Sequence, residues 1–239
     1  EDTLSLHDAL PIYNIISEPA VAKKTFYSVS SKGVVSAYSL REKKLLWSSN
    51  IKGDIKDREF LGGGILFSEG KLYVTFGTRY LVVLDAATGM EEFRKEFSDI
   101  VRAKPVMSSH GSLIIQTVGN RTYSINKDNF GIVWTHDGGI ETISGSNYVH
   151  PTLFKDEIIV AYSNGEMYGL NESNGAPKWR YRLTSQDNVT LPGFVPSTVQ
   201  TQPIIFEDFL YFATSNGKIV KLYLFTGLPV WTKEVYDVQ

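Results

Sequence analysis

Apolar and polar residues alternate in short runs along most of this chain, and glycine, asparagine and serine punctuate the runs. The clearest stretch is EIIVAYS (157–163), Asn164-Gly165, EMYGLN (166–171), then Ser173-Asn174-Gly175 ahead of PKWRYRL. Runs of this length, rich in β-branched and aromatic residues and bounded by turn formers, predict strands. Asn-Gly between two of them predicts a tight hairpin in which both central residues take positive φ. FLYFATS, Asn216-Gly217 and KIVKLYL, followed by Thr226-Gly227, repeat the design. No stretch keeps apolar residues at helical spacing.

The pattern recurs at long range. Five segments end in an aromatic residue after a turn: KKLLW, GMEEF, FGIVW, GAPKW and GLPVW. Their anchors Trp47, Phe93, Trp134, Trp179 and Trp231 stand 46, 41, 45 and 52 residues apart. Eight residues before each anchor lie Ser39, Asp85, Asn126, Asn171 and Tyr223, and six further back come Gly33, Arg79, Asn120, Gly165 and Gly217. Pro19, Pro151 and Pro203 stand 14 residues upstream again, with Pro105 one residue out of register. Four short antiparallel strands per repeat of this length describe a propeller blade. The expected fold is all-β: a β-propeller of about five four-stranded antiparallel blades, spread over residues 13–239.

A large flat residue in every repeat suits blade-to-blade packing, whereas a stacked cofactor needs one floor only. Trp47, Phe93, Trp134, Trp179 and Trp231 are therefore read as blade-docking residues, with Gly89, Gly175 and Gly227 shaping the turns before them. Asp85 holds the turn slot of its repeat, where a carboxylate accepts from backbone N–H groups. Phe130 occupies the slot that glycine fills elsewhere, with Gly131 after it, which predicts a rearranged turn.

Composition narrows the function. Lys and Arg number 24 against 26 Asp and Glu, so the basic stripe of a nucleic-acid binder is not expected. Zero cysteines exclude disulfides, Cys-ligated metal and a thiol nucleophile. No apolar run reaches the roughly 18–20 residues of a membrane-spanning helix. Residues 1–12, EDTLSLHDALPI, lack strand alternation and the features of a signal peptide. They resemble translated sequencing-adapter read-through, the alternative being a short native helical lead-in. They hold Glu1, Asp2 and Asp8 and no Lys or Arg, so the remainder carries 24 Lys and Arg against 23 Asp and Glu.

The repeat LVVLDAATGMEEF (81–93) resembles the pyrroloquinoline-quinone (PQQ)-type propeller repeat, A-x-D-x-x-T-G-x-x-x-W, matching it at Asp85, Thr88 and Gly89 with Phe93 in place of Trp. The ordered series EPAVAKKTFYSVSSKG, FLGGGILFSEGKLYV, AKPVMSSHGSLIIQTVGN, GIVWTHDGGIETISG and IIVAYSNGEMYGLNESNGAPKW is similar to the propeller lipoproteins of the outer-membrane β-barrel assembly machinery (the BamB family), above all alphaproteobacterial ones. The likeness spans about residues 17–236. It implies five blades of an eight-bladed ring, with the start and its lipid-bearing cysteine missing. It also implies a non-enzymatic scaffold without cofactor, on the periplasmic face of the outer membrane. Its partners would be the periplasmic domains of the barrel-inserting subunit and nascent outer-membrane proteins. Family contacts lie in two loops, which map onto 140–150 and 194–200. Ile143 matches an apolar family position, while Gly145, Ser146, Thr198 and Gln200 depart from residues seen in some members.

The same loops stand out from the residues alone. The longest anchor spacing contains a polar, Pro-punctuated insertion, TSQDNVTLPGFVPSTVQ (184–200). Ile140, Ile143, Tyr148, Phe194 and Val195 are the candidate partner-binding residues. Two roles fit such side chains: contact with a partner, or packing of the loop on its own blade. Exposed strand edges offer β-augmentation as a further route.

Two other functions share the repeat. A quinone-dependent dehydrogenase needs a calcium site and an acid–base Asp, but the acids here are scattered, and no catalytic or metal residue is assigned. His110, His136 and His150 fall in different repeats without metal-ligand spacing, and Gly62-Gly63-Gly64 opens a strand rather than a phosphate-binding turn. A sensor ectodomain would need a membrane span or a signalling domain elsewhere in its gene.

Overall fold

The structure is a computed structural model that describes residues 14–15, 17–56, 59–139, 149–183 and 197–235. Its described residues form five four-stranded sheets in chain order, every neighbouring pair antiparallel. The first holds β1 Ala20–Ala22, β2 Thr25–Val29, β3 Val34–Ser39 and β4 Lys44–Asn50. β5 Gly64–Ser68, β6 Lys71–Thr75, β7 Thr78–Asp85 and β8 Glu91–Val101 make the second. The third comprises β9 Val106–Met107, β10 Ser112–Gln116, β11 Arg121–Asn126 and β12 Ile132–Asp137. β13 Thr152–Phe154, β14 Glu157–Ala161, β15 Glu166–Asn171 and β16 Pro177–Arg182 form the fourth. The fifth is β17 Ile204–Phe206, β18 Phe209–Ala213, β19 Lys218–Tyr223 and β20 Pro229–Glu234. The expected blades are present as five sheets of a β-propeller.

The first strands of successive blades adjoin, β1 beside β5 and β5 beside β9, so they line the inner side. The apolar cores lie between blades. Leu113 and Ile115 of β10 pack with Leu81 and Val83 of the second blade, while Ile114 packs with Ile158, Val160 and Tyr162 of the fourth. Ile159 and Ala161 turn the other way, onto Leu210, Phe212 and Val220 of the fifth. A middle strand buried on both faces has no solvent side, which explains apolar runs such as LII and IIVA. Each pair of adjacent blades thus shares one core.

Two turn expectations are corrected. The hairpin between β14 and β15 is a three-residue turn, closed by Gly165 N to Tyr162 O (3.1 Å) and Tyr162 N to Glu166 O (2.8 Å). Among the described residues Gly165 has positive φ (80°) and Asn164 does not. This is a type I turn with a glycine bulge, in which one left-handed residue suffices. The turn at 214–218 repeats it, with Gly217 N to Thr214 O at 3.1 Å and φ 72°. The turn at Phe130 is not rearranged. Phe130 takes φ 56° and donates its N–H to Asn126 O (2.9 Å), as Gly89 does to Asp85 O and Gly175 to Asn171 O (both 2.8 Å). Asn126 Oδ1 accepts from the N–H groups of Asp128 (2.9 Å) and Asn129 (3.1 Å), so the asparagine holds the turn while a phenylalanine occupies its left-handed position.

Candidate interaction surface

The turn before each outer strand places one residue against the anchor of the previous blade. A Cβ on Gly89 would overlap the ring of Trp47; one on Gly175 would overlap Trp134, and one on Gly227 would overlap Trp179. The indoles lie flat on bare backbone. Trp47 Nε1 donates to Ala86 O (3.2 Å) and Trp134 Nε1 to Glu172 O (2.9 Å), each across the blade boundary. Trp179 Nε1 instead turns to Glu157 Oε1 within its own blade (2.5 Å). At the second boundary Phe93 stacks on Phe130, with ring centroids 3.9 Å apart and planes 8° from parallel. Two phenyl rings fill there the volume that an indole fills against glycine elsewhere. Lys95 Nζ reaches Phe130 O (3.0 Å), so that boundary also keeps a polar tie. Trp134 and Trp179 are 8% and 6% exposed, whereas Trp231 is 36% exposed, as no further blade covers it among the described residues. Asp85 Oδ1 accepts from Ala87 N (3.1 Å), Thr88 N (2.8 Å) and Thr88 Oγ1 (2.7 Å), and these bonds hold its carboxyl below the usual aspartate range.

Ile140, Ile143, Tyr148, Phe194 and Val195 lie outside the described residues, as do Gly145 and Ser146. The bases of their loops are described. Both loops leave an outer strand, β12 or β16, and return to the first strand of the next blade. In sheets of identical strand order the two bases therefore lie at the same end, on neighbouring blades. The β14–β15 turn stands between the two bases. Asn164 Nδ2 donates to Gly138 O (2.6 Å) on one side, and Leu183 N donates to Gly165 O (2.8 Å) on the other. A Cβ on Gly165 would meet Ser197 O at 2.6 Å, so only glycine lets the second base come so close. Thr198 is buried and bonded through its N–H to Ser215 Oγ (3.0 Å), while Gln200 is exposed.

Sequence reasoning missed a polar rim beside these bases. Glu18, Lys104, His150 and Gln202 each precede one of the four aligned prolines. Lys104 Nζ lies 3.6 Å from Glu18 Oε1, and Lys104 N donates to His150 Nδ1 (2.7 Å). His150 N donates to Gln202 Oε1 (3.0 Å), and Gln202 Nε2 returns a bond to His150 O (3.0 Å). Burial, reinforced by the Lys104 ammonium, pushes the His150 imidazole down to about 4. Accepting a backbone N–H at Nδ1 fixes the neutral tautomer with its proton on Nε2. The second blade has Gly64 at this register, and a space of about 360 Å3 opens there between Glu18, Leu61, Gly62, Gly63, Arg102 and His150.

The other buried charges serve packing. Glu166 is opposed by burial, but bonds from Arg180, Tyr168 and Asn164 outweigh it and hold its carboxyl low. Glu172 accepts from Ser109 Oγ (2.7 Å) and His110 N (3.2 Å), tying the third blade to the fourth. Among the described residues no group of three or more His, Cys, Asp or Glu side chains is placed to hold a metal ion.

The family model for outer membrane protein assembly factor BamB matches residues 17–239. The chain belongs to the BamB family. An uncharacterised protein of Rickettsia conorii is 37% identical over 225 residues, covering 94% of this chain and 54% of its own length. BamB of Yersinia pestis is 21% identical over 226 residues, 92% of this chain and 57% of that protein. The chain thus spans about half the length of these relatives. Among solved structures, BamB from Moraxella catarrhalis superposes with a TM-score of 0.76 at 18% identity, covering 92% of this chain and 64% of that one. Quinohemoprotein alcohol dehydrogenase from Comamonas testosteroni reaches 0.71 at 17% identity, covering 95% and 44%. Likeness at these identities shows the shared propeller fold alone.

Proposed function

We propose that this BamB-family chain is part of a non-catalytic scaffold of the outer-membrane β-barrel assembly machinery. It binds the periplasmic domains of the barrel-inserting subunit, and nascent outer-membrane proteins are its second class of partner. It works at the periplasmic face of the outer membrane, held by a lipid anchor. The supporting observation is the placement of the described bases of the 140–148 and 184–196 segments. These bases sit on either side of one turn, at the same end of neighbouring blades. The segments between these bases carry Ile140, Ile143, Tyr148, Phe194 and Val195 in sequence, and side chains of this kind suit a protein partner, since a few large anchors dominate binding energy at such contacts.

The dehydrogenase reading shares only the propeller fold. Four of the chain's carboxylates are engaged in the scaffold itself: Asp85 in its turn, Glu157 with Trp179, Glu166 with Arg180, and Glu172 with Ser109. The test is a pulldown of the full-length protein with the periplasmic domains of the barrel-inserting subunit. Binding is expected, and Ile143→Asp should weaken it while leaving the thermal unfolding midpoint unchanged. Failure to bind, together with quinone-dependent dye reduction, would overturn the scaffold reading. Unchanged affinity of Ile143→Asp would remove the first loop from it.

A further inference from the structure

Gln116 ends β10 and Asn120 lies in the turn that follows; both are more than nine-tenths buried at the boundary of the third and fourth blades. Their amide orientations are fixed by partners of one chemical sense. Gln116 Nε2 donates to the backbone carbonyl of Ala161 (2.6 Å), which can only accept. Asn120 Oδ1 accepts from the backbone N–H of Ser163 (2.9 Å), which can only donate, and from Ser163 Oγ (2.8 Å). Neither amide can be flipped without breaking these bonds. The remaining atoms, Gln116 Oε1 and Asn120 Nδ2, are buried and have no hydrogen-bond partner. Both residues line one small cavity, together with Arg102, Ala103, Thr117, Val118, Val149 and Ser163. It leaves about 10 Å3 for the centre of a water-sized sphere. That is the room one water needs, and a polar wall with two to four partners is what retains it.

We propose that this cavity holds a single internal water molecule, donating to Gln116 Oε1 and accepting from Asn120 Nδ2. The ligand must be neutral and must be donor and acceptor at once. A cation would face the Asn120 N–H and the Arg102 guanidinium, and an anion would face the Gln116 oxygen. Either would also cost full desolvation in a space of this size. Water satisfies both amides, and buried polar groups in folded proteins are satisfied as a rule. The water then completes a four-point seam between the blades, whose other members are the Gln116–Ala161 bond and the two Asn120–Ser163 bonds. Val149, which closes the cavity, is the first described residue after the 140–148 segment, so the water sits at the root of that loop. The inference does not depend on the scaffold reading.

The test is a crystal structure of the protein at a resolution that places ordered waters. One peak is expected within about 3.2 Å of both Gln116 Oε1 and Asn120 Nδ2. An empty cavity, or a peak touching neither amide, overturns the proposal. Gln116→Met keeps the side chain's length without its oxygen, and the peak should disappear from that variant. A peak that persists there removes Gln116 as its ligand and the proposal with it. Should the variant fail to fold, the map of the unaltered protein decides the matter alone.

Discussion

Phe93 and Phe130 show how one residue position can be solved in two ways. Where the anchor is tryptophan, the facing turn residue is glycine, because an indole and a Cβ cannot share that space. Where the anchor is phenylalanine, the turn residue supplies a second ring. A double-mutant cycle tests this coupling. Phe93→Trp alone should destabilise by about 1–3 kcal/mol through overpacking, and Phe130→Gly alone by about 1–3 kcal/mol, because loss of a half-buried ring is partly offset by relief of its left-handed backbone. The double variant should recover most of the loss in chemical denaturation, and additive effects would show that the two rings act independently. Trp179→Ala leaves its indole cavity unfilled and should cost about 3–5 kcal/mol; a thermal melt like that of the unaltered protein would contradict a packing role.

The polar rim at the start of the inner strands is a property of the elements rather than of any one side chain. β9, β13 and β17 are short, and the bonds among Lys104, His150 and Gln202 extend their order beyond the ladders. His150 stays neutral to about 4 in the folded chain, while an unfolded histidine titrates near 6.5. The unfolded state therefore binds a proton between these values and the folded state does not, so stability is complete above pH 6.5 and falls as the pH drops toward 4. The shift corresponds to about 3 kcal/mol. His136 is lowered by burial too, against the pull of Asp137 and Glu166, and adds in the same direction. Urea titrations from pH 7.5 to 4.5 should show this decline, and His150→Asn, which offers an oxygen acceptor that does not titrate, should flatten it. These rim residues escaped sequence reading because each is a single polar residue in its own repeat and looks like a solvated position. The prolines align these positions along the chain, but only the fold shows that the residues before them meet.

At the scale of the molecule, the apolar cores belong to pairs of blades. A lone blade would expose both faces of its middle strands, and such a sheet cannot bury enough surface to offset its ordering entropy. A peptide covering residues 149–183 should therefore show no cooperative unfolding by circular dichroism. A sigmoidal melt for it would contradict a core shared between blades. The same arrangement sets the bases of the two long loops at one end of neighbouring blades, since successive blades repeat one strand order. The sequence revealed the second loop as an excess in repeat spacing and the first through the family resemblance, but nothing within either loop says that Gly165 lies between their bases.

Strands, turns and repeat register depend on neighbours within a few residues, so alternation, turn formers and aromatic anchors determined them along the chain. That is why five blades and their docking residues are legible in the amino-acid pattern by itself. The type of hairpin turn, the orientation of the Gln116 and Asn120 amides, the burial of His150 and the pairing of Phe93 with Phe130 were decided by the tertiary structure. Each depends on groups about 40 residues apart or on the backbone conformation that packing selects, and only stacking one blade on the next brings those groups within reach.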